Sequence, residues 1–313
     1  MNRQVFGDRR WPMGLGAAVL IAACSAGGSQ LDGDDDGGTP GAGGAGGGLF
    51  TTGGGPGAGG GPDGCSEEAK LIYVLSDENE LYSFKPDDKL FTLIGTLGCQ
   101  TSMSPNSMAV DRNATAWVNY VQDDGLGTDT AGAIYRVSTL DASCEAAPVV
   151  TLPAGWYRIG MGYSTDGANT DAETLYVTSI SQSSGLGKID GGTLVPIGSF
   201  GGAFAGLNAE LTGTGDGRLF AFFVGTPVQV AELDPASGAV TGATPLNTVE
   251  IPNAWAFSFW GGDFYLYTAS LADSRVNRFR PADGSVDTAY VTNVGFRIVG
   301  AGVSTCAPLT PPK

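Results

Sequence analysis

The 313-residue chain contains no histidine, and that absence alone removes several chemistries. Ser-His-Asp and Cys-His hydrolase arrangements need an imidazole, as do His-ligated zinc sites. The commonest general base near neutral pH is missing with them. Basic residues are scarce: 16 Lys and Arg stand against 32 Asp and Glu, a formal net charge of −16. A surface of that sign repels nucleic acid and anionic lipid headgroups. No apolar run reaches the ~20 residues that a membrane-spanning helix requires, and no stretch keeps a helical apolar period for three turns. The Gly-rich tract has neither strand nor Lys-bearing helix beside it, which excludes a phosphate cradle. The acids between Thr165 and Glu173 miss the alternating positions of a calcium loop and are read as a hairpin tip. No metal and no cofactor is expected.

The first 23 residues look like an export signal. Arg3, Arg9 and Arg10 precede an apolar run from Gly14 to Ala23, too short to span a bilayer but suited to a secretory h-region. The run closes as Leu20-Ile-Ala-Ala-Cys24, which resembles the lipobox of bacterial lipoproteins. That resemblance implies cleavage before Cys24 and lipidation of its thiol; the alternative is an ordinary secreted protein. Residues 24–64 are mostly Gly, with Asp32, Asp34, Asp35 and Asp36 near the start. Such a segment buries too little apolar surface to offset its ordering entropy. It is read as a tether with a root-mean-square reach of roughly 35 Å. Loss of Arg3, Arg9, Arg10 and Asp8 with the signal would leave 13 basic against 31 acidic residues.

Five times in 65–313 an apolar strand ends in a turn rich in Pro, Asp and Gly. The equivalent positions are Lys85, Ser138, Asp190, Asp234 and Arg280, at steps of 53, 52, 44 and 46 residues. Repeats of that length made only of strands and turns mark propeller blades. Strands are expected at 107–111, 115–121, 133–138 and 148–152 for blade two, and at 159–164, 174–180, 185–190 and 194–200 for blade three. Blade four takes 210–215, 218–224, 228–234 and 239–246; blade five takes 254–260, 263–269, 275–280 and 285–292. Blade one has strands at 71–75, 80–84 and 90–97 but no inner strand before them. The small-residue run 297–305 supplies it from the other end of the chain. The fold class is therefore all-β: a five-bladed β-propeller of four-stranded blades, closed by pairing the C-terminal strand into the first blade, which leaves no open edge at the seam.

With Cys24 spent on lipid, four cysteines remain, an even count with three possible connectivities. Cys65 and Cys306 flank the same broken turn of blade one, so a Cys65–Cys306 disulfide is expected to lock the ring. Cys99–Cys144 follows by elimination, although strand counting puts the two at opposite faces.

Aligning the inner strands by their ends places Pro105, Arg158, Glu210, Trp255 and Arg297 around one mouth of the channel, with Trp156 and Tyr157 in the adjoining loop. Asp123, Asp124 and Asp129 fall on the same face. Two guanidiniums against one carboxylate favour an anionic ligand through bidentate hydrogen bonds, and the indole offers a stacking face for a sugar ring. The competing reading is an Arg–Glu–Arg network that plugs the hole.

Across 66–307 the chain resembles a family of secreted, lipoprotein-like propellers of myxobacterial type. The resemblance rests on Pro105-Asn-Ser-Met-Ala-Val-Asp-Arg112, Glu210-Leu-Thr-Gly-Thr-Gly-Asp-Gly-Arg-Leu-Phe220, Trp255-Ala-Phe-Ser-Phe-Trp-Gly-Gly-Asp-Phe264 and Ile298-Val-Gly-Ala-Gly-Val-Ser-Thr-Cys306. It implies fold and export and brings no activity with it. The expected function is a lipid-anchored scaffold in the cell envelope, facing the periplasm or outer surface, that binds a small ligand, a glycan or an envelope protein. It touches no nucleic acid and meets the membrane only through its lipid. Two alternatives stand beside it. One is a carbohydrate-active enzyme using Glu210 with Asp123 or Asp124; the other is a structural envelope protein whose channel is filled by apolar side chains.

Overall fold

The computed structural model describes residues 64–180 and 185–312. The expected signal segment, Cys24 and the tether as far as residue 63 lie outside them. Blade one begins with β1 (Ile72–Ser76), β2 (Glu80–Lys85) and β3 (Leu90–Thr96). Blade two holds β4 (Ser104–Val110), β5 (Thr115–Asp123), β6 (Asp129–Ser138) and β7 (Val150–Thr151). Blade three holds β8 (Ile159–Thr165), β9 (Glu173–Ser179), β10 (Leu186–Asp190) and β11 (Thr193–Gly198). Blade four follows with β12 (Asn208–Gly213), β13 (Leu219–Val224), β14 (Gln229–Leu233) and β15 (Val240–Pro245). Blade five has β16 (Ala254–Trp260), β17 (Asp263–Ala269), β18 (Arg275–Arg280) and β19 (Ser285–Val291). The last strand, β20 (Ile298–Val303), returns to β1, with Ile72 opposite Val303 and Val74 opposite Ala301.

Each sheet is antiparallel with four strands, and blade one has the order β20-β1-β2-β3. The protein is a five-bladed β-propeller closed at its seam by the C-terminal strand. The outer strand of blade two is shorter than the sequence suggests. Pro148 has no N–H to give to a ladder, so regular pairing is confined to Val150 and Thr151 opposite Ile134 and Ala133.

Burial explains why these strands read as they do. Each blade packs both sheet faces against its neighbours, so the middle strands are apolar almost throughout: β13 is Leu-Phe-Ala-Phe-Phe-Val with its first five residues buried. Apolar clusters fill the spaces between adjacent blades. Met108, Val118 and Tyr120 meet Tyr73 and Leu81 between blades one and two, while Phe222 and Val228 meet Phe257 and Leu266 between blades four and five. The outermost strands face water, and β15 has no buried residue.

Near the axis the inner strands approach backbone to backbone. A Cβ built on Gly160 would sit 2.3 Å from the Ala209 carbonyl oxygen and 2.9 Å from the Glu210 Cα. One built on Gly300 would lie 2.9 Å from the Met108 nitrogen. Five inner strands enclose a narrow axis only if such positions carry no side chain, which accounts for the small residues of β20.

Both disulfides form as paired in the sequence reading. Cys65–Cys306 has a Cα separation of 5.9 Å and Cys99–Cys144 one of 4.9 Å. The first sits in a small cluster with Ala69 and Ala114 at the seam. The objection to the second dissolves because strands rotate by about 20–25° per step across a sheet, so an outer strand runs partly around the ring. The chain after β3 thus reaches the β6–β7 connection, where the Gly98 N–H donates to the Ala142 carbonyl (3.3 Å).

Candidate functional site

Four inner strands and the residue just ahead of the fifth line one central cavity of about 330 Å³. Pro105 and Asn106 come from β4, Glu210 from β12, Trp255 from β16 and Val299 from β20; Arg158 and Arg297 each precede an inner strand by one residue. The five positions aligned from sequence therefore line a single opening, together with Ile180 and Asn253. The alignment works because equivalent positions on equivalent strands share one height in a ring of repeats.

The charges do not pair as an Arg–Glu–Arg plug. Arg158 grips Asp129 with Nε (3.2 Å) and Nη2 (2.8 Å), and donates Nη1 to the Asn106 side-chain oxygen at 2.9 Å. Asn106 in turn donates to Asn119 Oδ1 and the Ile159 carbonyl, both at 2.9 Å. Asn119 is fully buried and accepts the Ile159 N–H. This network immobilises Arg158 and cancels its charge locally. Arg297 donates only a long bond, 3.4 Å, to the Leu271 carbonyl. Among the described residues it has no carboxylate within ion-pair distance.

Glu210 is 2 % exposed and meets no cation among the described residues. Its Oε2 accepts the Ser107 hydroxyl at 2.9 Å and, weakly, the Met161 N–H at 3.4 Å. Burial drives its pKa well above the usual carboxylate range, and those two hydrogen bonds together with one from the Leu211 N–H offset the shift only in part. Trp255 carries an unpaired polar group, since its indole nitrogen is buried without a hydrogen-bond partner among the described residues.

The structure separates the remaining expected site residues. Trp156 is not at the mouth: it is 7 % exposed and packs with Ile134, Val150 and Met161 in the core between blades two and three. The turn that bonds its N–H to the Pro153 carbonyl (3.0 Å) carries the ring inward. Tyr157 lines a second, outer cavity of about 560 Å³ with Asp123, Thr128 and Asp129, which adjoins the first through Arg158 and Ile180. Asp123 lines only this outer cavity, and Asp124 is an exposed loop residue whose side chain accepts the Leu126 and Thr128 N–H groups. Glu210 therefore shares the central cavity with neither carboxylate named for a glycosidase pair. Nor is that cavity filled by apolar side chains. Sequence reasoning missed Asn106, Asn119 and Asn253, because a single chain does not show which amides its repeats bring together.

Glu210 makes stability depend on pH in a definite direction. An acid with a folded-state pKa above its unfolded value of ~4.3 binds more protons when native between those two values. Stability therefore falls as pH rises through that window and levels off above the folded pKa. Glu173, also raised chiefly by burial, adds a decline of the same sign. Glu210→Gln is expected to be more stable than the wild type at pH 7 and to match it near pH 4, measured by urea denaturation. A variant less stable than the wild type at pH 7 would contradict this account of the buried carboxyl.

No family profile and no curated protein matches this sequence. Among solved structures, the chain is similar to a protein of unknown function from Bacteroides caccae, at 12% identity over 74% of this chain and 97% of that one, with a TM-score of 0.39. It is similar to an auxiliary nutrient binding protein from Bacteroides thetaiotaomicron, at 10% identity over 70% of this chain and 54% of that one, with a TM-score of 0.41. A gluconolactonase from Xanthomonas campestris shares 15% identity, covering 63% of this chain and 68% of its own, with a TM-score of 0.40. At this level of similarity none of them bears on function.

Proposed function

We propose that this protein is a lipid-anchored extracytoplasmic scaffold that binds a small anionic ligand at the mouth of its propeller channel. One observation carries the reading: a cavity lined from all five blades holds a guanidinium, Arg297, with no carboxylate partner among the described residues. In a chain with twice as many acidic as basic residues, a cation without a carboxylate partner in a concave site offers a ready counter-charge to an anionic ligand. The indole of Trp255 in the same wall suits a sugar ring or another planar group. Two disulfides fit an oxidising compartment outside the cytoplasm, and the Leu20–Cys24 run accounts for anchoring.

Titration of the full-length protein with acetate, D-galacturonate and D-galactose tests the reading. An acid is expected to bind, and Arg297→Ala to weaken it by at least about 1.5–3 kcal/mol, the range of a hydrogen bond to a charged group. Arg158→Ala is expected to weaken binding less directly, by releasing Asp129 and Asn106. Equal affinity in Arg297→Ala and wild type would sink the proposal. Anchoring is tested separately: Cys24→Ala is expected to leave precursor unprocessed or to release the protein from membranes. Normal processing and membrane retention would exclude the lipidated cysteine.

A further inference from the structure

The central cavity holds two opposite ionisable groups that do not meet. Among the described residues Arg297 meets the Leu271 carbonyl, and Glu210 meets the Ser107 hydroxyl and the Met161 and Leu211 N–H groups. An unpaired guanidinium and a buried carboxyl in one wall are both satisfied if a ligand oxygen lies between them. Resting on the anionic-mouth reading above, we propose that the ligand is a singly charged carboxylate, with Arg297 supplying its counter-charge and Glu210 donating a hydrogen bond to it as a neutral acid.

The charge count selects that class. Arg158 is neutralised by Asp129 at 2.8 Å, so Arg297 is the one uncompensated charge on the cavity wall among the described residues. A neutral Glu210 adds a donor and no charge. A monoanion balances the site, whereas a phosphate dianion leaves one negative charge unmatched and a neutral sugar leaves the guanidinium unmatched. The carboxyl lies where its proton is retained. Apart from Arg158 and Arg297, no ionised side chain among the described residues lines the cavity. The strands packed around Glu210 on the axis contribute no charge either: β4, β16 and β20 carry no Asp, Glu, Lys or Arg, and neither do β8 and the paired β13. β8 carries only Tyr163, and the next strand out, β9, carries Glu173 at its far end and Tyr176. Among the described residues only three hydrogen bonds, from Ser107, Met161 and Leu211, favour the ionised form of Glu210, and burial opposes it more strongly.

Binding should then carry a proton requirement. Once Glu210 ionises, it repels the carboxylate it had bound, and affinity falls by up to about tenfold per pH unit. The experiment uses the full-length protein with D-galacturonate, D-galactose and D-galactose 6-phosphate as probes, followed by NMR shifts of the tryptophan indole N–H signals, with Trp255→Phe assigning one of them. Affinities are measured from pH 5 to pH 9 in the wild type, Glu210→Gln and Arg297→Ala. Galacturonate is expected to bind at least about tenfold more tightly than either comparator, the scale of one charge-assisted hydrogen bond. Its affinity should fall toward high pH in the wild type and stay flat in Glu210→Gln, whose amide still donates. If galacturonate binds through Arg297 but with a flat wild-type profile, Glu210 is not the donor and only the anionic-mouth reading survives. Tighter binding of the 6-phosphate also overturns the carboxylate assignment. If no acid binds, or Arg297→Ala changes nothing, the reading and this inference fall together.

Discussion

Replacing both seam cysteines, Cys65→Ala with Cys306→Ala, is expected to cost more stability than removing Cys99 and Cys144 in the same way. The chain-entropy relation assigns about 5.5 kcal/mol to a closed loop as long as the 241-residue separation of the first pair, against about 4 kcal/mol for the 45-residue separation of the second. The seam bridge also does a local job. It ties residue 65, just ahead of β1, to the chain that leaves β20, the two strands whose pairing closes the ring. Nearby, the Ser304 hydroxyl donates to the Ala69 carbonyl and the Cys306 N–H to Ser304 Oγ (2.9 Å), so this corner is bonded as well as bridged. Urea denaturation of the two double variants checks the order. If the Cys99/Cys144 variant proves the less stable, the closure of the ring depends on β20–β1 pairing rather than on the bridge.

Gly160→Val is expected to be among the most damaging single changes on the inner strands. A side chain there must displace the Ala209 carbonyl and the Glu210 backbone, and backbone in a closed ring has nowhere to retreat. Overpacking of well-filled interiors typically costs about 1–3 kcal/mol, and this site stands at or above the top of that range. Because β8 and β12 share the contact, the substitution should also disturb the Glu210 side of the cavity and weaken ligand binding. Gly242→Ala on the exposed outer strand β15 provides the control. Nothing lies within 4 Å of its Cβ position, so it is expected to be neutral or stabilising by up to about 1 kcal/mol. Comparable losses from the two substitutions would mean that the inner strands are not as closely packed as described.

Much of this protein was legible in one dimension. The five turns at near-constant steps define the blades, and the missing first strand of blade one, with the small-residue run at 297–305, defines where the ring closes. The seam disulfide followed from that closure, since Cys65 and Cys306 had to lie beside the same turn. Strand periodicity also put Arg158, Glu210, Trp255 and Arg297 at one mouth, because a repeat copies height along with fold. What the repeat could not supply was pairing. Asp129 and Arg158 are joined across 29 residues by the twist of blade two against blade three, and nothing local to either residue announces the partner. Trp156 lay one residue from Tyr157 yet faces the opposite way, into the core, because a connecting loop has no period to say which side is in. The raised pKa of Glu210 is likewise a product of packing: its own strand shows a lone acid among apolar neighbours, and it is burial among inner strands that bear no other charge that pushes the acid toward its neutral form. Architecture in this chain is written in periodic pattern, whereas the charge state of the mouth is set by contacts between residues that the ring brings together from five separate blades.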